Sequence, residues 1–322
     1  MNADMNIDGI RDTLERIRDT VATRVVGQDV VIEEALIAFL ARGHVLLEGV
    51  PGTAKTLLVR TLAAALGARF GRVQFTPDLM PTDITGVNML NESSRTFEFH
   101  AGPIFTDLLL GDEINRAPAK TQAALLEAMQ ERQATVDGIA HPLGDLFTVF
   151  ATQNPVEYEG TYPLPEAQLD RFLMKVRVTY PSAEAELRML ANHAEGFDPE
   201  RAADTSPKPV IDAAGCVALR AAVDAVRVAP EVREYTATIV RATREESALT
   251  LGGSPRATVA LFRVGRAAAL LAGRDFATPD DVKGYVLPVL RHRVILAPEL
   301  EVEGRSADDV LEHVLARVPA PQ

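Results

Sequence analysis

The residues Gly49-Val50-Pro51-Gly52-Thr53-Ala54-Lys55-Thr56 directly follow the apolar run 45–47 and directly precede residues 57–62, which show helical periodicity. This order predicts a strand, a loop and a helix that begins near Leu57. A loop that cradles phosphate needs inward backbone N–H groups, residues that allow close approach, a Lys for the outer phosphates and a hydroxyl for Mg²⁺. Gly49, Gly52, Lys55 and Thr56 meet these needs, which favours nucleotide binding. The alternative is a Gly/Pro turn capped by Thr53, with an incidental surface Lys.

One position of this octet departs from the usual phosphate-loop pattern. The pattern has a second Gly just before the Lys, whereas this sequence has Ala54 there. Only a positive φ would demand Gly at that position. The substitution is therefore expected to be harmless on the condition that Ala54 has ordinary helical dihedral angles.

Composition favours a soluble protein of two domains. The 322 residues leave room for both, and a hydrophobic content of 47% supplies a large core. A net charge of -12 argues against a protein that mainly wraps nucleic acid, although a local basic channel stays open. Cys216 is the single cysteine, so an internal disulfide is excluded and a reducing cytoplasm fits. No apolar run approaches the roughly twenty residues that span a bilayer, so we expect a cytoplasmic protein without membrane insertion.

The second chemical signal is the segment 105–113, an apolar strand that ends in Asp112-Glu113. A buried parallel strand that ends in two acids places their carboxylates at the sheet edge where open α/β folds bind ligands. Asp112 is expected to hold Mg²⁺, usually through water, and Glu113 to orient and deprotonate the attacking water. The alternative is an acidic strand end that caps the following helix.

Two further polar residues flank later strands. The buried strand 147–152 ends at Gln153-Asn154, and Asn154 is a candidate to position the water; otherwise it is a turn Asn before Pro. Arg171 lies between a short helix and the strand 173–178. One interpretation is a structural ion pair with Glu166 or Asp170. The functional alternative is that Arg171 stabilises the γ-phosphate of the nucleotide bound to a neighbouring subunit.

The remaining segments predict two domains, 1–195 and 196–322, with a linker over 196–209. The first has an amphipathic helix over 7–23, a second over 30–40, and two hairpins, 87–99 and 132–143. Between the two helices, Val26-Gly27 is expected to lie against an adenine ring; alternatively it only caps a helix. The second domain is almost wholly helical, with helices at 211–226, 232–247, 255–271, 278–289 and 308–318. Arg256 opens the third of these, where it is unfavourable for the helix dipole, so a nucleotide phosphate or a nearby Glu is expected to compensate it.

The order of these motifs resembles the AAA+ ATPases and, within them, the MoxR family. The resemblance spans residues 25–297, and it is carried by residues 49–56, 112–118 (Asp-Glu-Ile-Asn-Arg-Ala-Pro), 151–155 (Ala-Thr-Gln-Asn-Pro) and 164–172 (Leu-Pro-Glu-Ala-Gln-Leu-Asp-Arg-Phe). It implies an α/β fold, namely a P-loop AAA+ core whose central parallel sheet is flanked by helices, plus a C-terminal all-helical lid. The resemblance also implies that an Ala at the position of Ala54 is usual in that family.

The resemblance also implies roles for individual residues. Lys55 and Thr56 would belong to Walker A, Asp112 and Glu113 to Walker B, Asn154 to sensor 1, Arg171 to the arginine finger and Arg256 to sensor 2. Segment 78–99 looks like the extra insertion of the helix-2-insert branch. The resemblance further implies ATP and Mg²⁺ as cofactors, a ring commonly of six subunits, a chaperone-like remodelling activity, and partners that carry von Willebrand factor A domains.

These observations predict an ATP-hydrolysing remodeler in which lid closure through Arg256 couples hydrolysis to motion. A second hypothesis is a ring scaffold that binds ATP and scarcely hydrolyses it, which Glu113 and Asn154 disfavour. A third is a DNA-translocating motor, which the acidic composition disfavours.

Overall fold

Five short apolar strands form one parallel sheet at the centre of the protein. The computed structural model describes residues 6–154, 162–198 and 207–321. The sheet order is β2-β5-β8-β1-β9, and each neighbouring pair is parallel. Strands β5 and β8 therefore lie between β1 and β2, so the chain crosses them after leaving β1. A crevice forms at the carboxyl ends of the strands where such a crossover begins.

The elements of the N-terminal part are, in chain order, α1 (Ile7–Ala22), α2 (Asp29–Leu40), β1 (Val45–Glu48), α3 (Lys55–Ala65), β2 (Phe70–Gln74), α4 (Pro81–Thr85), β3 (Gly86–Asn91), β4 (Thr96–Ala101), β5 (Leu108–Asp112), α5 (Ala119–Glu131), β6 (Gln133–Val136), β7 (Ile139–Pro142), β8 (Thr148–Gln153), α6 (Glu166–Leu169), β9 (Met174–Arg177) and α7 (Ala183–Ala194). A 3-10 turn, Ile114–Arg116, follows β5.

The elements of the C-terminal part are α8 (Ala213–Ala225), β10 (Arg227–Val228), α9 (Pro230–Glu245), β11 (Leu249–Leu251), α10 (Pro255–Leu271), β12 (Phe276–Ala277), α11 (Pro279–Lys283), α12 (Val286–Leu290), β13 (Ile295–Leu296), α13 (Pro298–Val302) and α14 (Ala307–Arg317). The helix expected over 278–289 is two helices, α11 and α12. Two small strand pairs, β10 with β12 and β11 with β13, accompany the helices. Residues 199–206 of the expected linker lie outside the described residues, and the division at 195 stays a prediction.

Helix α2 is buried on nearly every side. Sequence periodicity predicts an amphipathic helix over 30–40; the helix is confirmed, but its amphipathic character is wrong. Nine residues of the helix are buried, among them Ile32, Leu36 and Phe39, because the helix packs between α1, β9 and the C-terminal helix α10. The first helix, in contrast, is amphipathic as predicted, with Ile10, Leu14, Ile17 and Val21 buried.

Both predicted hairpins are confirmed, and they contact each other. Strands β3 and β4 pair antiparallel, as do β6 and β7 around a turn in which Asp137 and Gly138 have φ of 49° and 79°. Phe99 of the first hairpin stacks on His141 of the second with ring centroids 3.8 Å apart. Asn88 donates a hydrogen bond to Asp137 at 2.8 Å.

Two arginines of the C-terminal helices, the buried Arg220 and the half-buried Arg263, bind backbone carbonyls of the sheet domain. Arg220 of α8 donates to the carbonyls of Phe39 and Asp145 and, at 2.9 Å, to the hydroxyl of Thr148. Arg263 of α10 donates to the carbonyls of Ala41 and Arg42. One continuous hydrophobic cluster runs through both parts. The helical part is therefore anchored to the sheet domain of its own chain.

The buried carboxyl of Glu34 on α2 makes the free energy of unfolding depend on pH. Burial raises the pKa of Glu34 to about 7, while the charge of Arg291 lowers it, and Glu33 and Asp308 raise it. The folded state thus holds a proton that the unfolded chain releases, so this contribution is present below about pH 4.5 and is lost as pH rises through about 7. We expect Glu34→Gln to raise the free energy of unfolding at pH 8 by up to about 3 kcal/mol and to change little at pH 4.5.

Urea unfolding of wild type and Glu34→Gln at the two pH values measures this difference. Glu312→Gln, which removes an exposed carboxylate of α14, is the matched control and should show no such pH-dependent gain. An equal effect of both substitutions would contradict the assignment to Glu34.

Candidate functional site

A cavity of about 960 Å³ opens at the carboxyl ends of β1, β5 and β8. Its lining includes the residues that the sequence placed at these strand ends, namely Pro51, Gly52, Thr53, Ala54, Lys55, Thr56, Leu57, Asp112, Glu113 and Asn154. Gly49 and Val50, the first two residues after β1, do not line it. Lys55 of the glycine loop and the two acids, predicted from separate motifs, are thus brought to one place, although their roles stay predictions.

The loop between β1 and α3 needs glycine at two positions. A Cβ on Gly49 would lie 2.3 Å from the carbonyl oxygen of Val178, so the loop lies too close to the chain after β9 for any side chain. Gly52 has a φ of +82°, a conformation that favours glycine. Thr53 donates to the Val50 carbonyl at 2.9 Å and closes the turn. Helix α3 then begins at Lys55, so its first N–H groups lie at the cavity, where anions bind.

Ala54 has left-handed dihedral angles, φ 62° and ψ 21°. The substitution was expected to be harmless if Ala54 had ordinary helical angles. That condition is not met. The usual Gly of this position has a physical reason, because the residue before the Lys must turn the loop into α3. An L-residue with a Cβ is strained in that conformation by about 1 kcal/mol or more.

We expect Ala54→Gly to raise the free energy of unfolding by about 0.5–1 kcal/mol, because strain relief exceeds the entropy that glycine adds to the unfolded chain. Thermal or urea unfolding measures the change. Ala64→Gly within α3 is the matched control and should lower stability by about 1 kcal/mol, the ordinary helix penalty. Equal losses from both substitutions would show that Ala54 is not strained.

Lys55 is bound to the carbonyls of its own loop. Its Nζ donates to the carbonyls of Gly49 and Val50. Burial lowers the pKa of Lys55, while the nearby carboxylates of Asp112 and Glu113 act in the opposite direction. The ammonium therefore lies within electrostatic reach of both acids and can turn to phosphate oxygens that enter the cavity.

Asp112 and Thr56 offer the kind of site that Mg²⁺ prefers. A hydroxyl and a carboxylate are hard oxygen ligands, and Mg²⁺ in nucleotide sites takes one or two of these and completes its shell with water and phosphate oxygens. In keeping with that pattern, the described residues contain no cluster of three or more His, Cys, Asp or Glu that could hold a metal by itself. The residues present therefore fit a metal that arrives with a phosphate ligand.

Thr152 of β8 connects the two acids. Its hydroxyl donates to Asp112 Oδ1 at 2.6 Å and accepts the Glu113 backbone N–H at 2.8 Å. Register explains this contact, because Gly111 lies opposite Ala151 in the parallel pair and the next residues face each other. Arg72 of β2 occupies the other oxygen of the same carboxylate, with Nη2 2.8 Å from Asp112 Oδ2.

Glu113 is held in a left-handed conformation, φ 56° and ψ 52°, at the turn after β5. Its Oε2 accepts hydrogen bonds from Gln74 Nε2 and Arg116 Nη1, each at 2.9 Å. Backbone strain of this kind concentrates at functional positions. These contacts fix the carboxylate at the cavity wall.

The same lining contains apolar side chains of the kind that contact a base, beside polar ones such as Gln28 and Glu186. The apolar residues are Val26, Leu57, Pro181, Met189 and Leu190. Gly27 has a φ of +75°, and a Cβ there would lie 2.4 Å from Ala185 Cβ, so Gly27 supports the contact with α7 without itself lining the cavity. Asn154 lies near the acids and is 7% exposed.

Arg171 and Arg256 lie elsewhere. Both line a second cavity of about 520 Å³, whose described lining includes Arg42, Arg132, Arg263 and Arg293 and a single acid, Asp170. Arg256 Nη1 is 3.8 Å from Asp170 Oδ2, so a carboxylate of the sheet domain compensates its charge at the helix start. Arg256 therefore does not line the cavity of the glycine loop, and lid closure through Arg256 stays a prediction.

Arg171 does not form the expected structural ion pair with Glu166 or Asp170. Among the residues that the structure describes, its guanidinium forms no hydrogen bond or ion pair, whereas Arg293 binds Asp170 at 2.7 Å.

Sequence reasoning missed Thr152, Arg72, Gln74 and Arg116, which hold the two acids. Gln74 and Thr152 follow buried strand residues at the carboxyl ends of β2 and β8, and the same rule that identified Asn154 would have found them. Arg72 has no such signal, because its contact depends on the diagonal register between β2 and β5.

The described part of the chain contains no helix that is both long and apolar enough to cross a membrane.

The parallel sheet, the glycine loop after β1 and the paired acids at the end of β5, with β8 between these two strands, define a P-loop nucleotide site of the AAA+ type. Family comparison agrees. Residues 44–174 match the ATPase family associated with various cellular activities (AAA), and residues 241–314 match the AAA lid domain.

Similar proteins and a solved structure identify the family within the AAA+ ATPases. It is 47% identical to the uncharacterized protein YeaC of Bacillus subtilis, over 92% of this chain and 91% of that one. It is 42% identical to the chaperone MoxR1 of Mycobacterium tuberculosis, over 96% and 83% of the two chains. A crystal structure from Cytophaga hutchinsonii, of a protein provisionally named an ATPase, superposes with a TM-score of 0.89 at 39% identity and covers 98% and 97% of the two chains. The chain belongs to the MoxR family of AAA+ ATPases.

Proposed function

We propose that this protein hydrolyses ATP with Mg²⁺ and uses the energy to remodel partner proteins in a chaperone-like way. The observation that carries the proposal is the convergence of Lys55, Thr56, Asp112, Glu113 and Asn154 on one cavity. Lys55 neutralises phosphate charge, Thr56 and Asp112 hold the metal, Glu113 takes the proton of the attacking water, and Asn154 orients that water. The apolar side chains of Val26 and Leu57 contact the base.

A second part of the proposal concerns assembly. The subunits form a ring, hexameric by family resemblance, and the second cavity of one subunit faces the phosphates of the next. Arg171 and Arg256 are proposed to act there on the neighbour's nucleotide, which agrees with their distance from the cavity of their own chain. Proteins with von Willebrand factor A domains are the proposed partners, in complex assembly or metal insertion in the cytoplasm.

A phosphate-release assay tests the activity. Wild-type protein should release phosphate from ATP in the presence of Mg²⁺ and lose that activity when EDTA removes the metal. Binding of ATP without measurable release would favour the scaffold hypothesis instead. Stimulation by DNA in the same assay would favour the motor hypothesis, which the net charge of -12 disfavours.

A further inference from the structure

Arg72 occupies the carboxylate that the proposed function gives to the metal. Its side chain is 46% exposed, lines the nucleotide cavity, and places Nη2 2.8 Å from Asp112 Oδ2 and 3.1 Å from Gln74 Oε1. Thr152 binds the other oxygen of Asp112 at 2.6 Å. Both oxygens of this carboxylate are therefore bound by donors of the chain itself.

A magnesium ion and this guanidinium compete for Asp112. They carry charges of the same sign, so the arrival of the metal, directly or through water, weakens the interaction that holds Arg72. The metal arrives with a polyphosphate, and Lys55 lines the same cavity as Arg72. The nearest new anion for the displaced guanidinium is an outer phosphate, whose geometry an arginine fork matches.

We propose that Arg72 exchanges partners: it neutralises Asp112 until the metal and the nucleoside triphosphate bind, and it then moves to the terminal phosphate. This inference rests on the proposed function and deepens it. The exchange has two consequences. Without nucleotide, Arg72 keeps metal ions off Asp112, and with nucleotide, it favours a triphosphate over a diphosphate.

The same pair of strands supplies a matched control. Arg69 forms a bidentate ion pair with Asp107 at the opposite end of β2 and β5, with contacts of 3.0 and 3.1 Å, and neither residue lines the nucleotide cavity. Arg69→Gln removes an ion pair between the same elements, so it reports any effect of weaker strand packing alone.

The first measurement is Mn²⁺ binding without nucleotide, followed by the EPR signal of the free ion. Arg72→Gln should bind Mn²⁺ about fivefold more tightly than wild type, because Asp112 is no longer neutralised. Arg69→Gln should match wild type. Unchanged or weaker Mn²⁺ binding by Arg72→Gln would overturn the exchange.

The second measurement is the preference for a non-hydrolysable ATP analogue over ADP, each competing with a fluorescent nucleotide in the presence of Mg²⁺. Arg72→Gln should lose about tenfold of that preference, and Arg69→Gln should keep it. A fully retained preference in Arg72→Gln would overturn the exchange and leave the proposed function intact. A wild-type protein that binds neither nucleotide would overturn the proposed function, and the exchange with it.

If Arg72→Gln does not fold, wild type decides the question. In a crystal structure with Mg²⁺ and the ATP analogue, the Arg72 guanidinium should lie on the terminal phosphate and away from Asp112. An ion pair between Arg72 and Asp112 that persists in that complex would overturn the proposal.

Discussion

Glu113→Gln is expected to bind ATP with Mg²⁺ as wild type does and to lose turnover by about 10²–10⁴-fold, the usual contribution of a general base. The amide oxygen can still accept the hydrogen bonds of Gln74 and Arg116, so the turn after β5 keeps its geometry. Only the ability to take a proton from water is removed. Nucleotide binding by fluorescence and phosphate release separate the two effects.

Glu48→Gln is a suitable control for this substitution. Glu48 lies at the end of β1, on the same sheet edge, but its carboxylate binds Lys175 at 2.5 Å and does not line the cavity. Turnover should therefore stay close to that of wild type. Undiminished turnover in Glu113→Gln would exclude Glu113 as the base, and a loss of nucleotide binding would indicate a structural role instead.

Arg171→Ala is expected to retain nucleotide binding and to lose turnover by about 10³-fold, within the range of arginine fingers. Binding survives because Arg171 does not line the nucleotide cavity of its own chain. Turnover falls because the neighbour's terminal phosphate loses a cation in the transition state. Arg171→Lys should recover only part of the loss, since an ammonium lacks the planar fork.

Mixing the two inactive proteins tests whether Arg171 acts between subunits. A ring of Arg171→Ala and Glu113→Gln subunits contains some boundaries where an intact Glu113 meets an intact Arg171, roughly a quarter of them at equal random mixing. Activity should reappear on mixing, although each variant alone is inactive. Absence of activity at every ratio would contradict a function between subunits.

The sequence predicts the fold and the centre of the site because both depend on local patterns. Local patterns identify a glycine loop between a strand and a helix, and two acids at a strand end. Parallel strands then bring such strand ends together. Contacts that depend on which strands are neighbours in the sheet cannot be predicted from local patterns. Arg72 and Thr152 reach Asp112 only because β2, β5 and β8 are neighbours in the sheet.

Two further features follow from tertiary packing and not from local patterns. The dihedral angles of Ala54 follow from the closure of the loop, which overrides the local preference of alanine. The position of Arg256 follows from how α10 packs on α2, where Arg263 donates to backbone carbonyls, so the spacing of the motifs does not show which cavity Arg256 lines.

A crystal structure with Mg²⁺ and a non-hydrolysable ATP analogue tests the central claim most directly. The account predicts the triphosphate along residues 49–56, the metal beside Thr56 and Asp112, and the terminal phosphate within reach of Glu113 and Asn154. A nucleotide bound elsewhere, for example in the basic cavity with Arg171 and Arg256 of the same chain, would contradict it.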